Sequence, residues 1–222
     1  MNIYQPNLVM GQQVLCSDAY KHVKARRLKV GHQLRLIDGC GRYADATIVS
    51  VDRRHVLCEV ASVQQAKETS LPRLVLGLPK LATAEFILQK ATEIGVSDIV
   101  LVHCENTPIA FDAKAFAKKE ARWNSIIIAA CEQSECYFKP SLRYMGFDEY
   151  CEEMNGPILL HPYAEDCLSS GRPLEGDIII GPEGGFSEAE IKCGAQLVKL
   201  NTGILRADTA AMAALLISRM NS

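Results

Sequence analysis

Four short stretches of the 222-residue chain, RLVLGL (73–78), DIVLVH (98–103), PILLH (157–161) and DIIIG (177–181), are apolar almost without interruption. A strand with one face in water alternates apolar and polar residues. Uninterrupted runs of this length therefore belong to strands buried on both faces, as in a parallel or mixed sheet covered by helices. The intervening segments supply the cover. TAEFILQKATEIGV puts Ala84, Ile87, Leu88, Ala91 and Ile94 on one helical face and stops at Gly95, a residue suited to a helix C-terminus. A long helix is predicted around Phe116, Glu120, Trp123 and Ile127, a short helix after Gly185, a strand over QLVKL (196–200), and a final helix from about Ala207.

Before residue 68 the rhythm differs. QLRLID, YADATIVSV and HVLCEV alternate with a period of two and are separated by the turns DGCGR and DRRH, the pattern of a small all-β unit. The polar stretch SVQQAKETS (62–70) reads as a linker, giving an expected division into residues 1–69 and 70–222.

Charge separates the two parts. Residues 1–70 carry ten Lys and Arg against six Asp and Glu, and the remainder carries fourteen against twenty, within a net charge of −2. The global balance gives no reason to expect nucleic-acid binding, but the excess is local. Residues 19–37 hold Lys21, Lys24, Arg26, Arg27, Lys29 and Arg35 and no acid. That density suits phosphate contacts, and suits a solvated face equally. Nine scattered cysteines include no C-x-x-C pair and no zinc spacing, so reduced, mostly buried thiols and no metal are expected. The N-terminus MNIYQPNLVM lacks the order of a signal peptide, and no run approaches 18 apolar residues. A cytoplasmic protein without a membrane segment is expected.

GPEGGFSEAEI (181–191) follows a buried strand, where glycines often let backbone approach a ligand. Its order, G-x-x-G-G, is neither the dinucleotide fingerprint G-x-G-x-x-G nor a loop ending in Gly-Lys-Ser/Thr. Pro182 removes an N–H donor, and Glu183 places a carboxylate where a phosphate would sit. Two like unit charges at about 4 Å and an effective dielectric near 20 repel by roughly 4 kcal/mol, which favours a cation or a neutral nucleoside. Ser187 and Glu190 have capping-box spacing, so the following helix satisfies part of its own N-terminus.

Two more loops carry chemistry-bearing residues. LNTGILRADTAAMAALL (200–216) holds Arg206 as a lone cation in apolar surroundings, in need of a partner such as Asp208, Glu183 or a substrate, while Asp208 or Thr209 is placed to cap the helix. ILLHPYAE ends a buried strand at His161–Pro162; His161 is read as a loop histidine or a base.

The three loops, in this order after successive strands, resemble the SPOUT superfamily of knotted methyltransferases, and more narrowly the RsmE family of 16S rRNA (uracil-N3)-methyltransferases. RLKVGHQLRLIDGCG, FILQKATEIGV, ACEQS, LLHP, IIGPEGGFSEAEI and LNTGILRADTA carry the resemblance over nearly the whole chain. It implies an α/β domain with a C-terminal trefoil knot, preceded by a PUA-like β barrel that docks RNA, in a homodimer acting on the 30S subunit. It also implies S-adenosylmethionine as cofactor, contacted by Leu160 and His161, by Gly181, Glu183, Gly184 and Gly185, and by Leu200, Ile204, Leu205 and Arg206, with Thr209 and Ala210 covering its far side. Lys21, Lys24, Arg26, Arg27, Lys29 and Lys80 are the expected RNA contacts. The chain departs from the family pattern at Asn201, Gly203, Asp208 and Thr83, where the family usually has glycine, arginine, glutamate and lysine.

Transfer of a methyl group to a ring nitrogen needs alignment of donor and acceptor and stabilisation of a uracil anion. Arg206 is the first candidate for that stabilisation and Arg26 or Arg27 of a partner subunit the second; no residue stands out as a general base. A tRNA substrate, a non-catalytic RNA-binding assembly factor and a nucleotide-dependent metabolic enzyme remain the alternatives at this stage.

Overall fold

The apolar runs form a parallel sheet. A computed structural model describes residues 1–15, 17–52, 55–67, 71–168 and 176–220; Cys16, the turn residues Arg53 and Arg54, and the end of the expected linker at 68–70 lie outside them. The elements in chain order are β1 (Asn2–Tyr4), β2 (Gly11–Leu15), α1 (Ser17–Ala25), β3 (Gln33–Ile37), β4 (Arg42–Val51), β5 (Val56–Val60) and β6 (Gln64–Gln65). There follow β7 (Arg73–Gly77), α2 (Leu81–Ile94), β8 (Asp98–His103), α3 (Ala113–Ser134), β9 (Ser141–Gly146), α4 (Phe147–Cys151), β10 (Ile158–Leu160), β11 (Asp177–Ile180), α5 (Glu188–Ile191), β12 (Gln196–Val198) and α6 (Ala207–Met220). Two units emerge: Met1–Thr69 with Ile128–Lys139, and Ser70–Ile127 with Pro140–Ser222.

In the first unit the ladders run β1-β3-β4-β5-β2, with β6 on β4; among the described residues only β1-β3 is parallel. Inward residues Ile3, Leu15, Leu34, Leu36, Ala44, Ala46, Ile48, Val56, Cys58 and Val60 share one core. The unit is not all-β: residues 17–25 are helical, and Ala19 and Val23 of α1 enter that core. The run of cations hides this helix, because only two apolar residues mark its buried face. Its end is a Schellman-type turn, with Leu28 N–H bonded to the Val23 carbonyl and Arg27 in the left-handed region at φ 55°. Gln64–Gln65, expected as linker, pairs with β4.

Residues 128–139 complete this unit from far along the chain. Glu132 accepts the Tyr4 N–H at 2.8 Å, Phe138 bridges Cys40, and Tyr137 stacks on Tyr43 at 4.6 Å.

In the second unit all ladders are parallel, in the order β12-β10-β11-β7-β8-β9. Val75, Val100, Val102, Leu159 and Ile179 pack with Phe147 and Tyr150 of α4 and with Phe186. Their alternates Leu74, Leu76, Ile99, Leu101 and Ile178 are also buried, as a sheet covered on both faces requires. α2 and α6 pack on one another and bury Ala84, Ile87, Leu88 and Ala91 with Ala211, Ala214 and Leu215; Ile94 is half-buried.

At the amino ends of the strands, Asp177 is 2% exposed and accepts two bonds from Arg73, at 2.8 and 2.6 Å, one from Tyr150 Oη at 2.7 Å and one from the Asn155 N–H. The expectation of mostly buried thiols is corrected: of the eight described cysteines three are buried and Cys40 and Cys167 are exposed, the latter two in isolated bridges, to Phe138 and Lys199, outside the strands. Among the described residues no helix is long and apolar enough to cross a membrane.

Candidate functional site

The carboxyl ends of β10, β11 and β12 lie side by side, and the loops leaving them enclose a cleft of about 850 Å³. That is within the ordinary range for a small-molecule site, roughly 300–1,000 Å³. Leu160 and His161 reach it from the first loop, Gly181, Glu183, Gly184 and Gly185 from the second, and Leu200, Ile204, Leu205 and Arg206 from the third, with Ala210 from the start of α6. Thr83, Pro162, Tyr163, Ile180, Phe186, Lys199, Gly203 and Asp208 line it as well.

Thr209 does not line the cleft. With 3.6 residues per turn, it points away from the side of α6 that presents Ala207, Asp208 and Ala210, and its hydroxyl faces Asp208 at 3.3 Å. Nor does Asp208 or Thr209 cap α6: the Ala210 N–H bonds the Arg206 carbonyl, and Asp208 sits inside the first turn accepting the Thr209 N–H. Arg206 was expected in apolar surroundings, yet its side chain is 83% exposed with Asp208 4.0 Å away, because the third loop carries it on the rim.

The second loop is fixed by protein contacts. A Cβ on Gly77, at the end of β7, would stand 2.4 Å from Pro182 Cδ; one on Gly184 would stand 2.8 Å from Asn106 Cβ, and one on Gly181 2.9 Å from the Phe186 ring. Gly181 and Gly184 are thus explained by packing, whereas Gly185 has φ 72° and open space where a Cβ would be. The capping box is present. Ser187 Oγ accepts the Glu190 N–H, while the buried Glu190 carboxylate accepts the Ser187 N–H at 2.8 Å and the Glu105 N–H at 2.8 Å. Glu190 therefore ties the loop after β8 to the glycine loop.

Glu183 accepts the Lys80 N–H at 3.2 and 3.3 Å, at the start of α2. The loop's own carboxylate occupies the helix N-terminus that an anionic ligand would use. The cleft joins apolar walls, one carboxylate on its glycine loop, and Lys199 and Arg206 beyond it. This donor set fits a nucleoside bearing positive charge.

His161 is anchored through its own N–H to the Val198 carbonyl at 2.8 Å, and its Nδ1 accepts the Tyr163 N–H at 3.3 Å. With Nδ1 so engaged, Nε2 is the ring nitrogen left to meet a ligand in the cleft that His161 lines.

Lys21 and Lys24 are exposed on α1, followed by exposed Arg26, Arg27 and Lys29; Lys80 is exposed at the start of α2. Arg35, in the same basic run, is committed to Asp45 by two bonds of 2.9 and 3.1 Å. Sequence reasoning missed Gly77, Asn106 and the Glu190 bridge. Only Gly77 left a signal, as a glycine inside a buried strand.

Residues 63–219 match the family described as RNA methyltransferase domain, and residues 15–61 the RNA methyltransferase PUA domain. The chain is 27% identical over 94% of its length to Ribosomal RNA small subunit methyltransferase E 2 of Borreliella burgdorferi, covering 91% of that protein. Its fold matches the Ribosomal RNA small subunit methyltransferase E of Neisseria gonorrhoeae solved bound to S-adenosyl methionine, with TM-score 0.87, 28% identity and coverage of 96% and 94% of the two chains. A Legionella pneumophila structure with the bound cofactor SAM matches with TM-score 0.85 and 32% identity over 96% and 94%. The chain belongs to the RNA methyltransferase domain family, with an RNA methyltransferase PUA domain ahead of the catalytic unit.

Proposed function

We propose that this chain is an S-adenosylmethionine-dependent methyltransferase that methylates N3 of a uridine in the 16S rRNA of the small ribosomal subunit. The observation that carries it is the cleft whose glycine loop presents Glu183 where a phosphate site would present bare N–H groups, in a chain similar to proteins named ribosomal RNA small subunit methyltransferase E. S-adenosylmethionine supplies a methyl group on a sulfonium, ready for in-line displacement by a ring nitrogen.

The protein's part is positioning and electrostatics. Leu160, Leu200, Ile204 and Leu205 line the apolar wall, and Glu183 makes the cleft favourable to positive charge. Arg206, on the rim, offers its guanidinium to the carbonyl oxygens flanking N3 and stabilises the anion left when the N3 proton passes to solvent. The ring of His161, with Nδ1 engaged by the Tyr163 N–H, offers Nε2 to a polar group of the bound nucleoside. Lys21, Lys24, Arg26, Arg27 and Lys29 hold phosphates, as does Lys80, whose N–H is bonded to Glu183.

In this reading residues 1–69 are the RNA-binding domain and 70–222 the methyltransferase domain, closed by a C-terminal trefoil knot. The enzyme is a cytoplasmic homodimer acting on the 30S subunit. Exposed Phe86 on α2 with Leu216 and Met220 on α6 supports a second copy packing on this helical pair.

The test is incubation with labelled S-adenosylmethionine and 30S subunits from a strain lacking the modification, followed by nucleoside analysis of 16S rRNA. N3-methyluridine is expected with the wild type and absent with Arg206→Ala at unchanged fold. Cofactor binding without N3-methyluridine would sink the proposal.

A further inference from the structure

Among the described residues, Tyr163 and Ile204 are the two large apolar side chains that are exposed and also line the cleft. Tyr163 is 77% exposed, although the chain buries Trp123 and Tyr150 completely. The segment holding it is tightly tied. His161 N–H bonds Val198 of β12, Ala164 N–H bonds the His161 carbonyl at 3.2 Å, and Ala164 is buried beneath the turn. The imidazole of His161 meets the Tyr163 ring edge to face, with centroids 5.9 Å apart and an interplanar angle of 64°. One side of the phenol is thus braced by protein and the rest is left in water at the mouth of the cleft. A preorganised, solvent-facing aromatic is costly as packing and well suited to a flat ring arriving from outside.

We infer that Tyr163 is a positioning residue, the platform on which the target base stacks once it leaves the RNA stack. This rests on the methyltransferase reading above. A ring nitrogen in a base pair is shielded by its partner and neighbours, so the nucleotide must be unstacked and held in one plane before the reaction. A single-stranded or bulged pyrimidine supplies a π-face for Tyr163, and Arg206 on another loop of the same cleft meets its edge. Stacking on one aromatic side chain does not read sequence. Tyr163 therefore governs how the base is held, and RNA docking elsewhere governs which base arrives.

The experiment compares wild type with Tyr163→Ala, Tyr163→Leu, Tyr163→Phe and Tyr163→Trp as full-length protein on unmodified 30S subunits. Cofactor affinity by calorimetry and molar mass by light scattering are measured in parallel. kcat/KM for the 30S substrate is expected to fall about 5- to 150-fold in the alanine variant, the range for loss of one base–aromatic stack. The leucine variant should fall similarly, the phenylalanine and tryptophan variants should stay near wild type, and cofactor affinity and mass should not change. Rescue by leucine as complete as by phenylalanine would overturn the inference. So would a matching loss of cofactor affinity, which makes the ring part of the cofactor's own pocket, or a change in mass, which makes it an interface residue. A wild-type protein without any transfer removes the methyltransferase reading and this inference with it, an outcome distinct from a wild-type-like alanine variant, which removes this inference alone.

Discussion

Gly77→Ala probes the link between fold and cleft more sharply than any lining residue. Gly77 ends β7, and the space for its Cβ is filled by Pro182 of the glycine loop, with Cδ at 2.4 Å and the backbone nitrogen at 2.7 Å. Reaching an ordinary contact of about 3.4 Å from 2.4 Å requires a displacement of about 1 Å, and the backbone nitrogen cannot rotate away as a flexible side chain would. The loop has little room to yield, since Gly184 already abuts Asn106 and Glu190 holds the capping box. Overpacking of this kind costs about 1–3 kcal/mol, or about 2–12 °C in melting temperature for a chain of this size. A 1 Å misplacement around a reacting centre lowers rates by up to about a hundredfold. Calorimetry with S-adenosylmethionine and labelled methyl transfer to 30S subunits should show affinity and kcat/KM falling about 10- to 100-fold at temperatures where the variant is folded. A variant with lowered melting temperature but wild-type cofactor affinity would refute the argument that β7 sets the loop's position.

Asp177→Ala should do the reverse: it leaves the Tyr150 hydroxyl and the Asn155 N–H without their acceptor while Arg73 keeps Glu153, costing about 1–3 kcal/mol by denaturant unfolding, yet leaves cofactor affinity unchanged because the network lies at the opposite ends of the strands. Restoring the family arginine by Gly203→Arg should be neutral for stability, since a Cβ there meets open space, and should steepen the salt dependence of RNA binding by about one phosphate contact in filter-binding titrations. Thiol labelling of the native protein at pH 8 should modify Cys40 and Cys167 and spare Cys104, which is buried and whose thiol burial pushes up to about 12; mass mapping after digestion reads the order. Asp45, Glu85 and Glu153 are each held below the usual carboxylate range by hydrogen bonds from Arg35, Arg122 and Arg143, respectively. Their stabilisation is complete above the unfolded values and lost as pH falls through the lower folded ones, so Arg143→Met should flatten the acid limb of a melting-temperature profile.

Sequence periodicity located strands by what they bury. RLVLGL, DIVLVH, PILLH and DIIIG were legible because both faces are apolar, whereas β9, an edge strand with half-buried residues, left no comparable run. α1 was illegible because its polar and charged residues outnumber Ala19 and Val23, the two residues it buries, and the core contributes what its own pattern lacks. The three cleft loops were readable from local chemistry: Glu183 among glycines, the Ser187–Glu190 box and the lone Arg206.

The chain's sequence by itself determined which segments become buried parallel strands, which loop refuses a phosphate, and where cations concentrate, because periodicity, capping and charge act over a few residues. Tertiary structure alone decided that β10, β11 and β12 become neighbours, that Gly77 meets Pro182, that residues 128–139 complete the first unit, and that Arg206 and Tyr163 stand in solvent at one cleft. The physical reason is distance along the chain: these contacts join residues tens to more than a hundred positions apart, and only the order of strands in the sheet brings them together.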